Sequence, residues 1–235
     1  MTVSTKKLSE PNHRTKVGNQ RRAKMRQHLL LSALELFMRN SDSELLIDDV
    51  ISHAKVSRGT FYNYFNTTHE LAIALVSEMS DEVLKIIDPY VLDFDDPLQR
   101  MCMGLRLYIN VTRKYKVWGS LLTKMGPYHT VRNRQIDIYV TRDLRQAMQL
   151  KIIPEDDVIV LRDIVLGAVY YAIETIQNEE IESHHSNKIM QKVLYMAGLS
   201  QERATEFAFN PLIKIDKIDT MESHYFAYLR EKLSF

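Results

Sequence analysis

Residues Ile47 to Phe65 read IDDVISHAKVSRGTFYNYF, and this stretch decides the fold. Ile47, Val50, Ile51 and Ala54 recur at offsets of three and four, the spacing that places apolar side chains on one face of a helix. After a three-residue break, Ser57 offers a hydroxyl that can cap the free amides of a second helix, which sets Phe61 and Phe65 one turn apart. Helices this short do not hold in water alone. A third helix must cover them, and Arg22 to Asn40 supplies one through Met25, Leu29, Leu30, Ala33, Leu36 and Phe37. The pattern predicts a small tri-helical unit with a helix-turn-helix, a motif whose second helix commonly enters a DNA major groove.

On that second helix Phe61 and Phe65 share one narrow arc, with Arg58 and Tyr64 on its flanks. Gly59 and Asn63 face the other way, beside Thr60 and Tyr62. Asn can pair with an adenine edge, Thr can meet a base or a thymine methyl, and Tyr hydroxyls can hold phosphates. Gly59 lets the backbone come close to a groove wall. The same face would also serve as the solvated exterior of an ordinary helical bundle.

The segment resembles the DNA-binding domain of the tetracycline-repressor-like (TetR) family of bacterial regulators. The matching residues are Asp49-Val50-Ile51, Ala54, Val56 to Tyr62, Tyr64-Phe65, Thr67 and Glu70-Leu71, within residues 22–75. The resemblance implies a homodimeric regulator that binds a near-palindromic double-stranded DNA operator, most often as a repressor, and is released by a small molecule. It implies DNA contacts from Arg21, Arg22, Lys24, Ser57, Arg58, Thr60, Tyr62, Asn63, Tyr64 and Thr68. Three positions depart from the family pattern. Lys55 stands where a glycine is usual in the turn, Leu45 and Leu46 where Thr or Ser often hold phosphates, and Thr68 where a basic residue commonly opens the fourth helix.

Residues 1–28 carry Lys6, Lys7, Arg14, Lys16, Arg21, Arg22, Lys24 and Arg26 against the single acid Glu10. No apolar periodicity precedes Met25, so residues 1–20 read as a basic, disordered arm able to enter a minor groove or neutralise phosphates. A solubilising tail is the alternative. Residues 1–70 are net +4 and the remainder net −3, which directs nucleic acid to the first part and a different partner to the second.

With 235 residues and only seven glycines, the chain can bury a sizeable core and favours helices over turn-rich sheet. The prolines fall where helices start or stop: Pro97 after Asp95-Asp96, Pro127 after Gly126, Pro154 before Glu155-Asp156-Asp157, Pro211 after Asn210. The expected architecture is all-α, nine or ten helices. It comprises the arm, a helix-turn-helix DNA-binding domain at 21–66, a connecting helix at 67–88 opened by a Thr67-x-x-Glu70 capping box, and a helical ligand-binding and dimerisation domain at 89–235. Further helices are expected near 97–113, 116–125, 129–150, 156–178, 186–197, 201–208 and 219–233. The last presents Met221, Tyr225, Tyr228, Leu229 and Leu233 on one side.

The 156–178 helix is apolar almost all round, so it must be covered on several sides. Burial within the monomer is one solution. In the family the equivalent helix pairs with its copy across a two-fold axis, which would place Leu161, Val165, Ala168, Val169 and Ala172, with Val193, at a dimer interface. Gly167 and Ala168 would permit close approach. The family also lines a central cavity from helices that here carry Met101, Met103, Tyr108, Trp118, Leu122, Met125, His129 and Tyr170. Methionine and aromatic side chains suit a hydrophobic or aromatic effector, although each of them could equally be plain core.

Other chemistries find little support. Cys102 is the one cysteine, which suits a reducing cytoplasm. His184-His185 lacks companion ligands for a metal, no catalytic constellation or phosphate loop is visible, and no cofactor is implied. No apolar run is long enough to span a membrane, and the first 20 residues are too polar for a signal peptide. Two function classes fit: a ligand-responsive transcriptional repressor located in the cytoplasm with the nucleoid, and a helical binding protein whose helix-turn-helix no longer reads DNA.

Overall fold

The computed structural model describes residues 13–39, 44–132, 134–219 and 224–233. Among them all regular structure is helical, in thirteen segments that include two of only four residues. The chain divides into two compact units, Met1–Leu71 and Ala72–Phe235.

The first unit holds α1 (His13–Arg39), α2 (Ile47–Ala54) and α3 (Arg58–Tyr62). Leu29, Leu30, Ala33, Leu34 and Phe37 from α1, Val50 and Ala54 from α2, Phe61 from α3 and Phe65 just after it are all buried. Met25, Leu36, Ile47 and Ile51 are only half-buried at the margin. Truncating Phe61, which is wholly enclosed, should cost about 3–5 kcal/mol. Two histidines tie α1 to α2: His53 Nε2 lies 2.6 Å from Glu35 Oε2, and His28 Nε2 lies 2.8 Å from the Ala54 carbonyl. Lys55 ends α2 in the left-handed region, at φ 53° and ψ 44°. A non-glycine residue there costs about 1 kcal/mol, offset by its N–H reaching the Ile51 and Ser52 carbonyls. Ser57 then caps α3, its Oγ accepting from the Thr60 amide at 3.0 Å.

Residues 13–20 are helical, within α1 (His13–Arg39), and not part of a disordered arm. The reading that stopped the helix near Arg21 relied on apolar periodicity. An established helix propagates into a polar, proline-free segment at little cost once nucleated. The rest of the expected arm, residues 1–12, lies outside the described residues.

The helix α4 (Thr68–Val91) starts in the first unit and runs on into the second. Thr67 Oγ1 accepts from the Glu70 amide at 3.0 Å. The Glu70 carboxylate takes the Asn66 N–H and Nδ2 at 2.8 and 3.0 Å, so the reciprocal arm of the cap reaches one residue further back than expected. Pro89 sits inside the last turn of α4, against the expectation that prolines only bound helices; lacking an N–H, it gives the Lys85 carbonyl no helical hydrogen bond.

The second unit continues with α5 (Pro97–Lys114), α6 (Lys116–Met125), α7 (Pro127–Thr130), α8 (Gln135–Gln149), α9 (Val158–Asn178), α10 (His185–Met196), α11 (Gln201–Phe209), α12 (Asp216–Asp219) and α13 (His224–Leu233). Asp96 caps α5 through Oδ1, which accepts from the Leu98 and Gln99 amides, and Pro97 takes the first turn. Asp157 caps α9 in the same way through the Ile159 amide. The single helix expected over 129–150 is two, because Arg134 adopts an extended conformation (φ −99°, ψ 173°) and starts a new helix after the short α7. At the C-terminus Met221 lies outside the described residues. The later helix buries Tyr225 and Leu229 as expected, and also Phe226.

The core of this unit is aromatic. Trp118 packs edge to face on Tyr108 (5.2 Å between ring centroids) and on Phe226 (5.6 Å), and Tyr115 packs on Phe226 at 5.0 Å. Each such pair adds about 0.5–1.5 kcal/mol to the area it buries. Tyr108 Oη donates to Ser80 Oγ at 3.0 Å. No helix among the described residues is long and apolar enough to cross a membrane.

Candidate nucleic-acid interface and effector cavity

The outer face of α3 has the composition expected. Gly59, Tyr62 and Asn63 are exposed and Thr60 is half-buried. Asn63 is the C-cap residue and not an interior one, since α3 closes at Tyr62. Tyr64 is half-buried, with the Arg22 guanidinium 6.0 Å from its ring centroid. Arg21, Arg22 and Lys24 are exposed on α1, and Thr68 is half-buried at the start of α4. The Ser57 hydroxyl is engaged as a cap and lies 2.8 Å from Thr60 Oγ1, so it is less available to a phosphate than its position in the sequence suggests. Arg58 is ion-paired with Asp48 on the first turn of α2. The carboxylate's hydrogen bond and charge, with a smaller contribution from Tyr62, raise the Arg58 pKa.

Leu46 precedes α2 without any side-chain cap, and Asp48 and Asp49 occupy its first turn. That end of α2 therefore carries acids favourable to the helix dipole, where a phosphate would otherwise be received.

In the second unit the expected cavity residues separate into three groups. Met103, Tyr108, Trp118 and Leu122 are buried side chains of the core. Met125 and His129 are half-buried near the ends of α6 and α7, and Tyr170 donates to the Thr123 carbonyl at 2.7 Å. Met101 is the member that reaches a cavity. It joins Leu84, Ile87 and Val91 of α4, Gly104 and Leu105 of α5, and Ile136 and Val140 of α8 around a small cavity of about 30 Å³.

One wall of that cavity is ionic: Asp88, Arg100, Tyr139, Arg142 and Asp143. Arg100 Nε donates to Asp143 Oδ1 at 2.9 Å, and another of its nitrogens to Gln146 Oε1. Arg142 Nε donates to the same Asp143 oxygen at 2.8 Å and Nη2 lies 3.0 Å from Asp88 Oδ1. Burial works against the Arg142 charge, but hydrogen bonds to Asp143 and Asp88 outweigh it and raise its pKa. The same guanidinium lies 5.0 Å from the Tyr139 ring centroid. Burial first, then the charge of Asp88, pushes the Tyr139 phenol up, so it stays protonated. The ionic wall was missed in the sequence, although one signal was present. Asp143 falls three residues after Val140 and seven after Ile136, on the buried stripe of its helix.

The expected dimer-interface residues differ in how far their own chain covers them. Leu161, Val165, Val169, Ala172 and Val193 are buried inside the single chain. In the sequence an all-round apolar helix does not reveal which arc its own chain covers. The arc left open on α9 carries Val160, Ile164 and Tyr171, exposed by 50%, 37% and 68%, with Gly167 and Ala168 half-buried between them. On α10, Tyr195 and Met196 are exposed.

A helix-turn-helix unit followed by a second helical unit with an internal cavity is the build of a one-component transcriptional regulator. Residues 29–75 match the model for bacterial regulatory proteins of the tetR family, and residues 96–210 match the tetracyclin repressor-like C-terminal domain. The chain belongs to the TetR family of bacterial regulators. Its fold is similar to that of RolR in complex with the ligand resorcinol, at 24% identity and a TM-score of 0.72, over 84% of this chain and 99% of that one. It is also similar to a TetR-family regulator from Syntrophomonas wolfei (17%, TM-score 0.54, 85% and 95%). A gamma-butyrolactone receptor, an ArpA-like protein, is a third neighbour (14%, TM-score 0.50, 86% and 100%). No curated protein matches the chain.

Proposed function

We propose that this TetR-family protein is a homodimeric cytoplasmic repressor that binds a near-palindromic operator through α3 and is released by a small hydroxylated aromatic compound. The observation that carries the effector reading is the cavity between α4, α5 and α8, apolar on most sides and walled on one by two arginines and two aspartates. The four charges balance. A carboxylate ligand would meet Asp88 and Asp143, and an ammonium would meet Arg100 and Arg142, each at a desolvation cost. A neutral hydroxyl donates to one partner and accepts from the other, so a phenol-type ring satisfies both apolar and ionic walls. At about 30 Å³ the enclosed space is far smaller than a typical ligand site, so a ring enters only as the walls between α4, α5 and α8 move apart. The resorcinol bound to RolR, a ring with two hydroxyls, is of this kind.

Operator reading is assigned to Thr60, Tyr62 and Asn63, with Gly59 allowing close approach and Arg21, Arg22 and Lys24 neutralising phosphates. The dimer is assigned to the open arc of α9 with α10. Four cavity residues, Leu84, Ile87, Asp88 and Val91, lie on α4, the helix that begins in the DNA-binding unit, and α4 serves as the connector. An effector shifts DNA binding only by its differential affinity for two arrangements of the dimer, typically by factors of about 5–150.

The test uses the purified full chain and duplex DNA from the region flanking its own gene. A shifted band released by catechols, resorcinols or related phenols, and not by benzoates or aromatic amines, is the expected result. Ligands that raise the melting temperature but leave the DNA complex intact at saturation would remove the effector-release reading. Absence of any DNA complex would favour a binding protein that no longer reads DNA.

A further inference from the structure

Arg58 opens α3, and its guanidinium is paired with the Asp48 carboxylate across the turn of the helix-turn-helix. Both side chains are largely open to solvent, 55% and 70% exposed. An exposed pair of this kind adds little to stability, so the fold does not account for it. It stands instead on the border of the outer face formed by Gly59, Tyr62 and Asn63.

The two chemistries open to an arginine at a DNA surface differ in what they tell the protein. A free guanidinium swings to a nearby phosphate, which adds affinity without sequence information. A guanidinium anchored at one nitrogen by a carboxylate, as Arg58 Nη2 is by Asp48 Oδ1, is confined to a narrow range of orientations. Its remaining N–H groups then form the fork that matches the paired acceptors O6 and N7 of guanine. Asp48 does a second thing: it cancels the Arg58 charge in long-range attraction and repels a phosphate approaching the same spot.

We propose that Asp48 is a positioning residue that converts Arg58 from a phosphate contact into the guanine-reading side chain of α3. This rests on the operator-binding reading above. The carboxylate orients the guanidinium, Arg58 reads one guanine in each half-site, and sequence discrimination is gained at the expense of non-specific affinity.

The experiment selects binding sites for the full-length protein from a randomised duplex library, then measures affinity for the selected site and for random duplex over a range of salt. Wild type should enrich a symmetric site with a fixed guanine in each half. Arg58→Ala should lose the preference for that guanine and bind the selected site about tenfold more weakly or worse, keeping its other preferences. Asp48→Asn should bind random duplex more tightly, steepen the salt dependence by about 0.9 per phosphate newly contacted, and narrow the specific-to-random ratio. Asp48→Glu should restore the ratio. In an Arg58→Ala background Asp48→Asn should no longer move it, which separates positioning from a structural role. Guanine preference that survives Arg58→Ala, or a ratio and salt slope unmoved by Asp48→Asn, overturns the inference while operator binding stands. Failure of wild type to enrich any sequence overturns operator binding as well.

Discussion

Arg100 Nε stands 2.9 Å from Asp143 Oδ1, with the two side chains only 7% and 3% exposed. A buried ion pair is a poor source of stability, but removing one partner leaves the other charge stranded. Asp143 also accepts from Arg142, so one carboxylate answers two guanidiniums beside the cavity. Asp143→Ala should therefore lower unfolding free energy by about 3–5 kcal/mol, read by denaturant titration of the full chain. Retention of wild-type stability would mean the network is not needed by the fold.

Arg142 and Asp88 are less enclosed, at 32% and 15%, and their loss should fall on the ligand more than on the fold. Asp88→Asn and Arg142→Ala should each weaken phenol binding about tenfold or more, since each hydrogen bond to a charged group contributes about 1.5–3 kcal/mol. Operator affinity without ligand should remain close to wild type. Calorimetry and gel shift together check both halves of this expectation.

Gly104 offers a test of the cavity by filling it. A Cβ built there meets only ordinary contacts, 3.8 Å from Val91 Cγ2 and 3.9 Å from Ile87 Cγ2. Gly104→Ala should raise stability by about 0.5–1 kcal/mol through helix propensity, while bulkier Gly104→Val should block the effector. A Gly104→Val protein that still binds phenols as wild type does would place the ligand elsewhere.

Charge placed on the open arc of α9 should prevent assembly. Ile164→Glu and Ala168→Glu are expected to give folded monomers by light scattering, with weakened operator binding, because two half-sites about one helical turn apart need two linked heads. A dimer unaffected by both changes would locate the interface on another surface.

Cys102 sets a pH expectation. Burial raises its thiol from the ordinary 9.0 to about 12, with Arg106 pulling only weakly the other way. The folded state thus holds a proton that the unfolded chain releases. The stability it contributes is complete below pH 9 and is lost as pH rises from there toward about 12. Tyr108, raised by its own burial, acts in the same direction. Alkylation at pH 8 should label the denatured chain and spare the folded one; rapid labelling of the native protein would show the thiol to be accessible.

The helix-turn-helix could be read from the sequence because its information is local. Ser57 as cap, Lys55 as the left-handed residue and the Phe61–Phe65 spacing each act within a few residues. Helix ends set by polar residues were harder: α1 runs through His13 to Gln20 with no apolar stripe to mark it. Aromatic and methionine content does not distinguish a filled core from a lined space: Tyr108 and Trp118 are enclosed among the core side chains, and Met101 lines the cavity. Asp143 and Arg100 find each other across 43 residues, a pairing no local pattern encodes. The open arc of α9 depends on which of its apolar sides the same chain covers, again a matter of tertiary packing.

Trp118 is the sole tryptophan of the chain, and the ring above it, Phe226, belongs to a helix beyond residue 210, where the family match ends. Among the described residues its buried indole Nε1 has no hydrogen-bond partner, nor has the nearby Tyr115 hydroxyl. The protein consequently carries its own optical gauge of the seating of α13. An indole in a dry aromatic surround emits at short wavelength, and lifting α13 would wet it and shift the emission to the red. Fluorescence of the unlabelled protein can therefore report whether the C-terminal helix stays docked as DNA or effector is added, with no other tryptophan to confuse the signal.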